Sequence, residues 1–253
     1  MQKYDLYQYH NLLESSKRSA ELFMDTYGPW DVRVGETFCS LGNLFSRMAM
    51  NPEAAIMYES GLDILKKSLG DDDPRVAGTR YNIGLVDCRL KRFRRALPQL
   101  EAALKSRKAV LGPRHPDVAD TLTCVGGALA SLKRHQEALV CYNEAIEIRR
   151  ANLQESFSAA KAISVATTLR CASSALRMLS DPNLASLQDA EAHSIFLSYL
   201  GSDHPLTIDA ARSTLAPVDK PMIQVFPSPA RGFPMLSPTI LRMGKIAAMF
   251  GSF

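Results

Sequence analysis

Nowhere in the sequence does an apolar run approach the roughly 18 uninterrupted residues that a membrane span requires. The opening stretch, MQKYDLYQYHNLLESSKR, also lacks the apolar core of a secretion signal. Both absences lead to the expectation of a soluble, cytoplasmic protein. Cysteine is scarce: Cys39, Cys88, Cys124, Cys141 and Cys171 are odd in number and form no CxxC pair, which argues against a disulfide framework and for reduced thiols. Charge of neither sign is in great excess. Thirty Lys and Arg against 26 Asp and Glu give a formal +4, which suits acidic partners and falls short of a nucleic-acid signature. Missing too are the glycine loop of nucleotide sites, HExxH, GxSxG and any Cys/His metal spacing. No catalytic, cofactor-binding or metal-ligating residue is therefore predicted, and the expectation is a protein that is not an enzyme and uses no cofactor.

What the sequence does contain is a period. Leu69-Gly70 and Leu111-Gly112 lie 42 residues apart, and the same step reaches Leu153 going forward and Tyr27-Gly28 going back. On that register Gly42, Gly84 and Gly126 coincide, as do Ala54, Ala96 and Ala138, then Tyr58, Leu100 and Tyr142, then Leu62, Leu104 and Ile146. A fixed period of this size means stacked supersecondary units, none of which buries its apolar face alone. Leu200 follows Leu153 by 47 residues, so the fourth unit carries five extra, placed within residues 154–164. Apolar spacing inside a unit is helical, as in Val118, Leu122, Val125 and Leu129, then Ala138, Tyr142 and Ile146. Each unit is thus read as an antiparallel helix pair, with boundaries at 27–68, 69–110, 111–152, 153–199 and a partial 200–216. Residues 1–26 read as an N-terminal helix completing a preceding half repeat, and the proline-rich segment 217–253 as a largely irregular tail.

The stretch LGPRHPDVADTL, Leu111 to Leu122, sets a histidine beside a proline between two helices. Gly112 is expected to close the earlier helix in a left-handed conformation, as Gly70 and Gly201 would in theirs. Pro116 fits the first turn of the next helix and pushes the residue before it out of the α region. His115 is then an N-cap, a place that Asp73 holds in the preceding copy. Aspartate replaces histidine there without strain on a joint, whereas a ligand or base would not accept the exchange.

LGPRHPDVADTL, together with QEALVCYNEAIEIRRANL, resembles the tetratricopeptide repeats of the kinesin light chain family. The general pattern is visible as Val125-Gly126, Leu129, Ala138 and Tyr142, and the resemblance extends over about residues 12–215. It implies an all-α fold, a right-handed superhelical solenoid of antiparallel helix pairs, whose first helices line a concave groove that takes peptide segments of cargo or adaptor proteins. The residues before Tyr27 show no sustained heptads, so the resemblance is confined to the repeat region and binding to the kinesin heavy chain is not expected.

Positions between the apolar columns of each first helix should face the groove. The candidates are Asn43 and Arg47, then Tyr81, Asn82, Leu85 and Arg89, then Thr123, then Arg170 and Arg177. Asn82 falls where the family clamps a peptide backbone, and the arginines suit carboxylates, which guanidinium groups fork in pairs. The function expected is a protein–protein interaction scaffold that binds an extended acidic peptide. A solvated-surface reading of the same arginines stands beside it. The run RLKRFRRAL, with Arg89, Lys91, Arg92, Arg94 and Arg95 around Phe93, opens a further reading as an RNA-binding repeat, and an enzyme would need titratable groups converging in one pocket.

Overall fold

The computed structural model describes residues 3–215, and the expected tail 217–253 lies outside them. Among the described residues there are ten helices and no strand: α1 Lys3–Tyr27, α2 Val32–Arg47, α3 Asn51–Leu69, α4 Pro74–Arg89, α5 Phe93–Leu111, α6 Pro116–Ser131, α7 His135–Glu155, α8 Ala159–Met178, α9 Pro182–Leu200 and α10 Pro205–Leu215. They fall into two compact units that divide between Ser106 and Arg107. In the first, α1 packs on α2, α2 pairs with α3, and α3 packs on α4. In the second, α6 pairs with α7, α7 meets α8, α8 pairs with α9, and α9 carries α10.

Side chains cap the starts of α2, α4, α6, α9 and α10. Asp31 accepts from the backbone N–H of Arg33 at 2.9 Å and Asp73 from that of Arg75 at 2.8 Å. The histidines do the same work through Nδ1: His115 accepts from Asp117 N–H at 3.1 Å and His204 from Leu206 N–H at 3.2 Å. An imidazole nitrogen therefore stands in for a carboxylate oxygen in satisfying an orphan donor of the first turn.

The joints between units end on glycines with φ near +85°: Gly28, Gly70, Gly112 and Gly201. The expected left-handed cap is corrected in one respect. At Gly70 ψ is 171° and at Gly201 it is 170°, an extended mirror-image conformation open essentially to glycine alone. The left-handed helical caps occur instead in the turns inside each unit, at Ala49, Lys91, Lys133 and Ser180, with φ between 59° and 63°. The next residue's N–H reaches back to the first helix each time: Met50 to Phe45 O at 2.9 Å, Arg92 to Asp87 O at 2.8 Å, Arg134 to Leu129 O at 2.9 Å and Asp181 to Leu176 O at 3.1 Å. This is the Schellman arrangement, and it satisfies the last carbonyls of the helix.

Close contact between the helices of a pair explains the glycine column. A Cβ on Gly42 would lie 2.7 Å from the Tyr58 ring, one on Gly84 2.5 Å from Leu100, and one on Gly126 2.6 Å from the Tyr142 ring. In the fourth unit both members of the contact change. Ser173 occupies the glycine position and Asp189 the aromatic one, and the smaller partner leaves room for a Cβ. Asp189 is 1% exposed, and the Arg177 guanidinium pairs with it while donating to Ser213 O at 2.7 Å. A second buried carboxylate, Asp87, also 1% exposed, stands in the column of Phe45 and Leu129. Arg95 Nε lies 3.4 Å from it and Arg92 Nη1 3.9 Å. Burial pushes the Asp87 carboxyl above the usual carboxylate range, and Arg95 and Arg92 pull it back in part.

The five extra residues are taken up at the end of α7 and the start of α8. Relative to α5 and α6, α7 gains two residues and α8 four, while the joint between them loses one. No glycine closes that joint. The Lys161 ammonium donates instead to Asn152 O at 3.0 Å and Ser156 O at 3.1 Å.

Two outcomes follow for thermal unfolding. Gly126→Ala should destabilise by about 1–3 kcal/mol, since the added methyl meets a packed ring, whereas Lys133→Gly should raise stability by up to about 1 kcal/mol by removing left-handed strain from an exposed residue. Asp87→Leu should stabilise by about 1 kcal/mol or more, because its column takes leucine elsewhere and Arg92 and Arg95 remain half in water. A raised carboxyl costs stability as pH climbs through its folded-state value, so this gain should be larger at pH 7 than at about pH 4. Denaturant titration of the variant and parent at both pH values checks it.

Candidate protein-binding surface

The six predicted groove residues of the first unit lie on α2 and α4, with Asn82 half-buried on α4. Asn43 and Arg47 are exposed on α2, and Tyr81, Leu85 and Arg89 are half-buried on α4. Positions 82, 85 and 89 are spaced so that Asn82, Leu85 and Arg89 share one side of α4, with Tyr81 beside Leu85 one turn away. Arg89 does not wave in solvent. Its Nη1 donates to Ser46 Oγ at 2.6 Å, which fixes the guanidinium between the two helices. Asn43 is likewise held, its Oδ1 accepting from Tyr58 O–H at 2.6 Å. Burial raises the Tyr58 hydroxyl to about 12, with the Cys39 charge adding to the effect, so it remains a neutral donor. At the other end of the same side, Glu36 pairs with Arg75 at 3.2 Å across α2 and α4, and Cys39 Sγ lies 3.3 Å from Thr79 Oγ1. The surface thus runs from an acidic–basic pair at the helix starts to arginines at the helix ends.

In the second unit Thr123 is half-buried on α6 and its hydroxyl donates to Ala119 O of its own helix at 2.8 Å. Arg170 is half-buried on α8, in the column of Tyr81 and Thr123. Arg177 lies elsewhere. Its side chain is 13% exposed and is turned onto Asp189 between α8 and α9. With five residues inserted, the column of Arg47 and Arg89 reaches Met178, one position further on. The Asp189–Arg177 pair escaped sequence reasoning, although the joint loss of the glycine and the aromatic from their columns marks it.

The basic run at 89–95 is largely spoken for by neighbours. Arg89 is tied to Ser46, Arg92 and Arg95 flank Asp87, and Arg95 also pairs with Glu59 on α3. Phe93 is half-buried at the start of α5. Among the described residues no three His, Cys, Asp or Glu side chains gather as a metal site, and no helix is long and apolar enough to cross a membrane.

A tetratricopeptide repeat profile matches residues 75–151, which span α4 to α7. No curated protein matches the chain significantly in sequence. Among solved structures, BtubC (BKLC) from P. vanneervenii is 18% identical, with 92% of this chain and 90% of that one covered at a TM-score of 0.62. A Podosopora anserina putative kinesin light chain with nearly identical TPR-like repeats is 16% identical, covering 75% and 86% at a TM-score of 0.60. MamA is also 16% identical, covering 78% and 96% at 0.54. At these identities the likeness is one of fold, that of helical-repeat solenoids. Profile, period and helix pairing agree: residues 75–151 carry tetratricopeptide repeats, and the fold resembles that of the kinesin light chain-like repeat structures.

Proposed function

We propose that the protein is a cytoplasmic scaffold whose first-helix side in unit one, along α2 and α4, binds an extended acidic peptide of a partner protein. The observation that carries this reading is the Arg89 guanidinium, pinned by Ser46 in the same repeat column as the exposed Arg47. A positioned guanidinium loses less freedom when it forks a carboxylate than a mobile one does. Asn82 offers an amide for the peptide backbone, and Tyr81 with Leu85 an apolar place for an anchoring side chain. Asn43 contributes through its NH2, since its carbonyl is engaged by Tyr58. Thr123 and Arg170 supply a separate stretch in the second unit. Arg177 has no part in the proposal, because its charge is committed to Asp189. The ties of Arg92 and Arg95 to carboxylates favour a peptide over RNA as the ligand.

Exposed charge pairs contribute about 0.2–1 kcal/mol each, so affinity should be modest and should weaken as salt screens it. A fluorescein-labelled peptide with one tryptophan flanked by glutamates should raise anisotropy on titration, while its lysine-flanked counterpart should not. Arg89→Glu and Asn82→Ala should each weaken binding several-fold with the melting temperature unchanged. Binding that ignores both substitutions, or ignores salt, would place the partner on another surface.

A further inference from the structure

Within the second unit, an open cleft of about 300 Å³ lies on the second-helix side, between α7 and α9 over α8. Its floor is Ile146 and Leu169, both buried, and its lip is Leu184 and Leu187, 43% and 66% exposed. The corresponding place in the first unit, between α3 and α5, is closed by chemistry: Glu59 pairs with Arg95 across it. Carried forward on the repeat register, Glu59 becomes Asn143 and Arg95 becomes Leu184, and both of these line the cleft. The two substitutions that remove the ion pair are therefore the ones that leave the cleft open and its edge apolar. The column of Leu187 holds Pro98 in the closed counterpart, so a second leucine is added at the same edge.

Two polar features narrow the occupant. Gln188, also lining the cleft, holds its Oε1 out of water with no hydrogen-bond donor among the described residues, a deficit that an incoming N–H would make good. At the rim Arg150 is neutralised by Glu191, whose two oxygens it meets at 2.6 and 2.8 Å. Glu147 is exposed at the same rim, and no ion pair among the described residues balances it. The surround is thus net acidic around an apolar edge, the opposite sign from the α2–α4 surface.

We propose that the α7–α9 cleft is a second protein-binding site, which receives a peptide segment of a partner carrying a leucine-sized apolar side chain with a lysine or arginine beside it. The apolar side chain covers Leu184 and Leu187 over the floor, a backbone or side-chain N–H reaches Gln188 Oε1, and the cation sits against Glu147. Segments that dock on helical surfaces use this combination of a buried anchor with a charged margin that fixes register. The site does not depend on the acidic-peptide reading of α2 and α4.

The experiment is selection of a random dodecapeptide phage library on the full chain, followed by anisotropy titration of the resynthesised peptides. Enriched sequences should share an apolar residue next to Lys or Arg. Leu187→Lys should weaken them at least tenfold, and Glu147→Lys several-fold with reduced salt dependence. The double substitution Asn143→Glu with Leu184→Arg, which rebuilds the bridge found between α3 and α5, should also weaken them at least tenfold. Arg89→Glu should leave them unchanged, which separates this site from the proposed α2–α4 surface. Circular dichroism melting should be unaltered in the cleft variants, since Asn143, Glu147, Leu184 and Leu187 are exposed. The proposal is overturned if no such sequences are enriched, or if the cleft variants bind them as the parent does. It is equally overturned if light scattering shows a dimer that Leu187→Lys dissolves, or if peptides bind only after residues 217–253 are removed. Those last two results would assign the cleft to a second copy or to the chain's own tail.

Discussion

The spacing between the two helices of a pair rests on a side chain laid directly over a glycine. Tyr58 on Gly42, Leu100 on Gly84 and Tyr142 on Gly126 bring helix axes close enough that a methyl group would not fit. Glycine in a helix interior costs about 1 kcal/mol relative to alanine. Its retention at three equivalent places means that packing outweighs propensity there. The alanine column follows from the same constraint: Ala54, Ala96, Ala138 and Ala185 are wholly buried, because a second helix pressed this close has no room for more. With the pair geometry set, the faces left over for partners are decided by what lies between these columns.

Where the glycine contact is abandoned, charge enters the core. In the fourth unit Ser173 and Asp189 replace the small–large couple, and Arg177 fills the remaining space with its guanidinium. Asp87 is a milder case, a carboxylate in a leucine column compensated from the turn by Arg92 and Arg95. Buried ion pairs of this kind are weak sources of stability, yet losing one partner is costly. Residues that look like surface cations in the sequence, Arg92, Arg95 and Arg177, are thereby drawn into structural work.

The helix pairing was legible because glycine, alanine and aromatic columns recur at one period, and because Gly70, Gly112 and the His115-Pro116 step punctuate it. The turns inside each unit were not, since their left-handed residues are Ala49, Lys91, Lys133 and Ser180 and carry no glycine signal. Arg177 falls one position short of the column of Arg47 and Arg89, because the register carried past the five extra residues puts Met178 there. Fixing of Arg89 by Ser46 and opening of the α7–α9 cleft both depend on residues about 40 apart. Such pairings become visible only when one unit is laid on another and each side chain is compared with its counterpart.

The lengthened end of α7 and start of α8 carry a consequence for anyone wishing to attach something to this protein. Four added residues advance the start of α8 by about 6 Å at 1.5 Å per residue, roughly one turn. The short connection at residues 156–158 is held mainly by the Lys161 ammonium and exposes Phe157 to 68%. Apart from the Phe157 ring, whose centroid lies 5.8 Å from that of Tyr199, it stands off the packed columns of α7 and α8. A fluorophore, affinity tag or cleavage site introduced there would report on the molecule or sever it without disturbing either proposed binding surface.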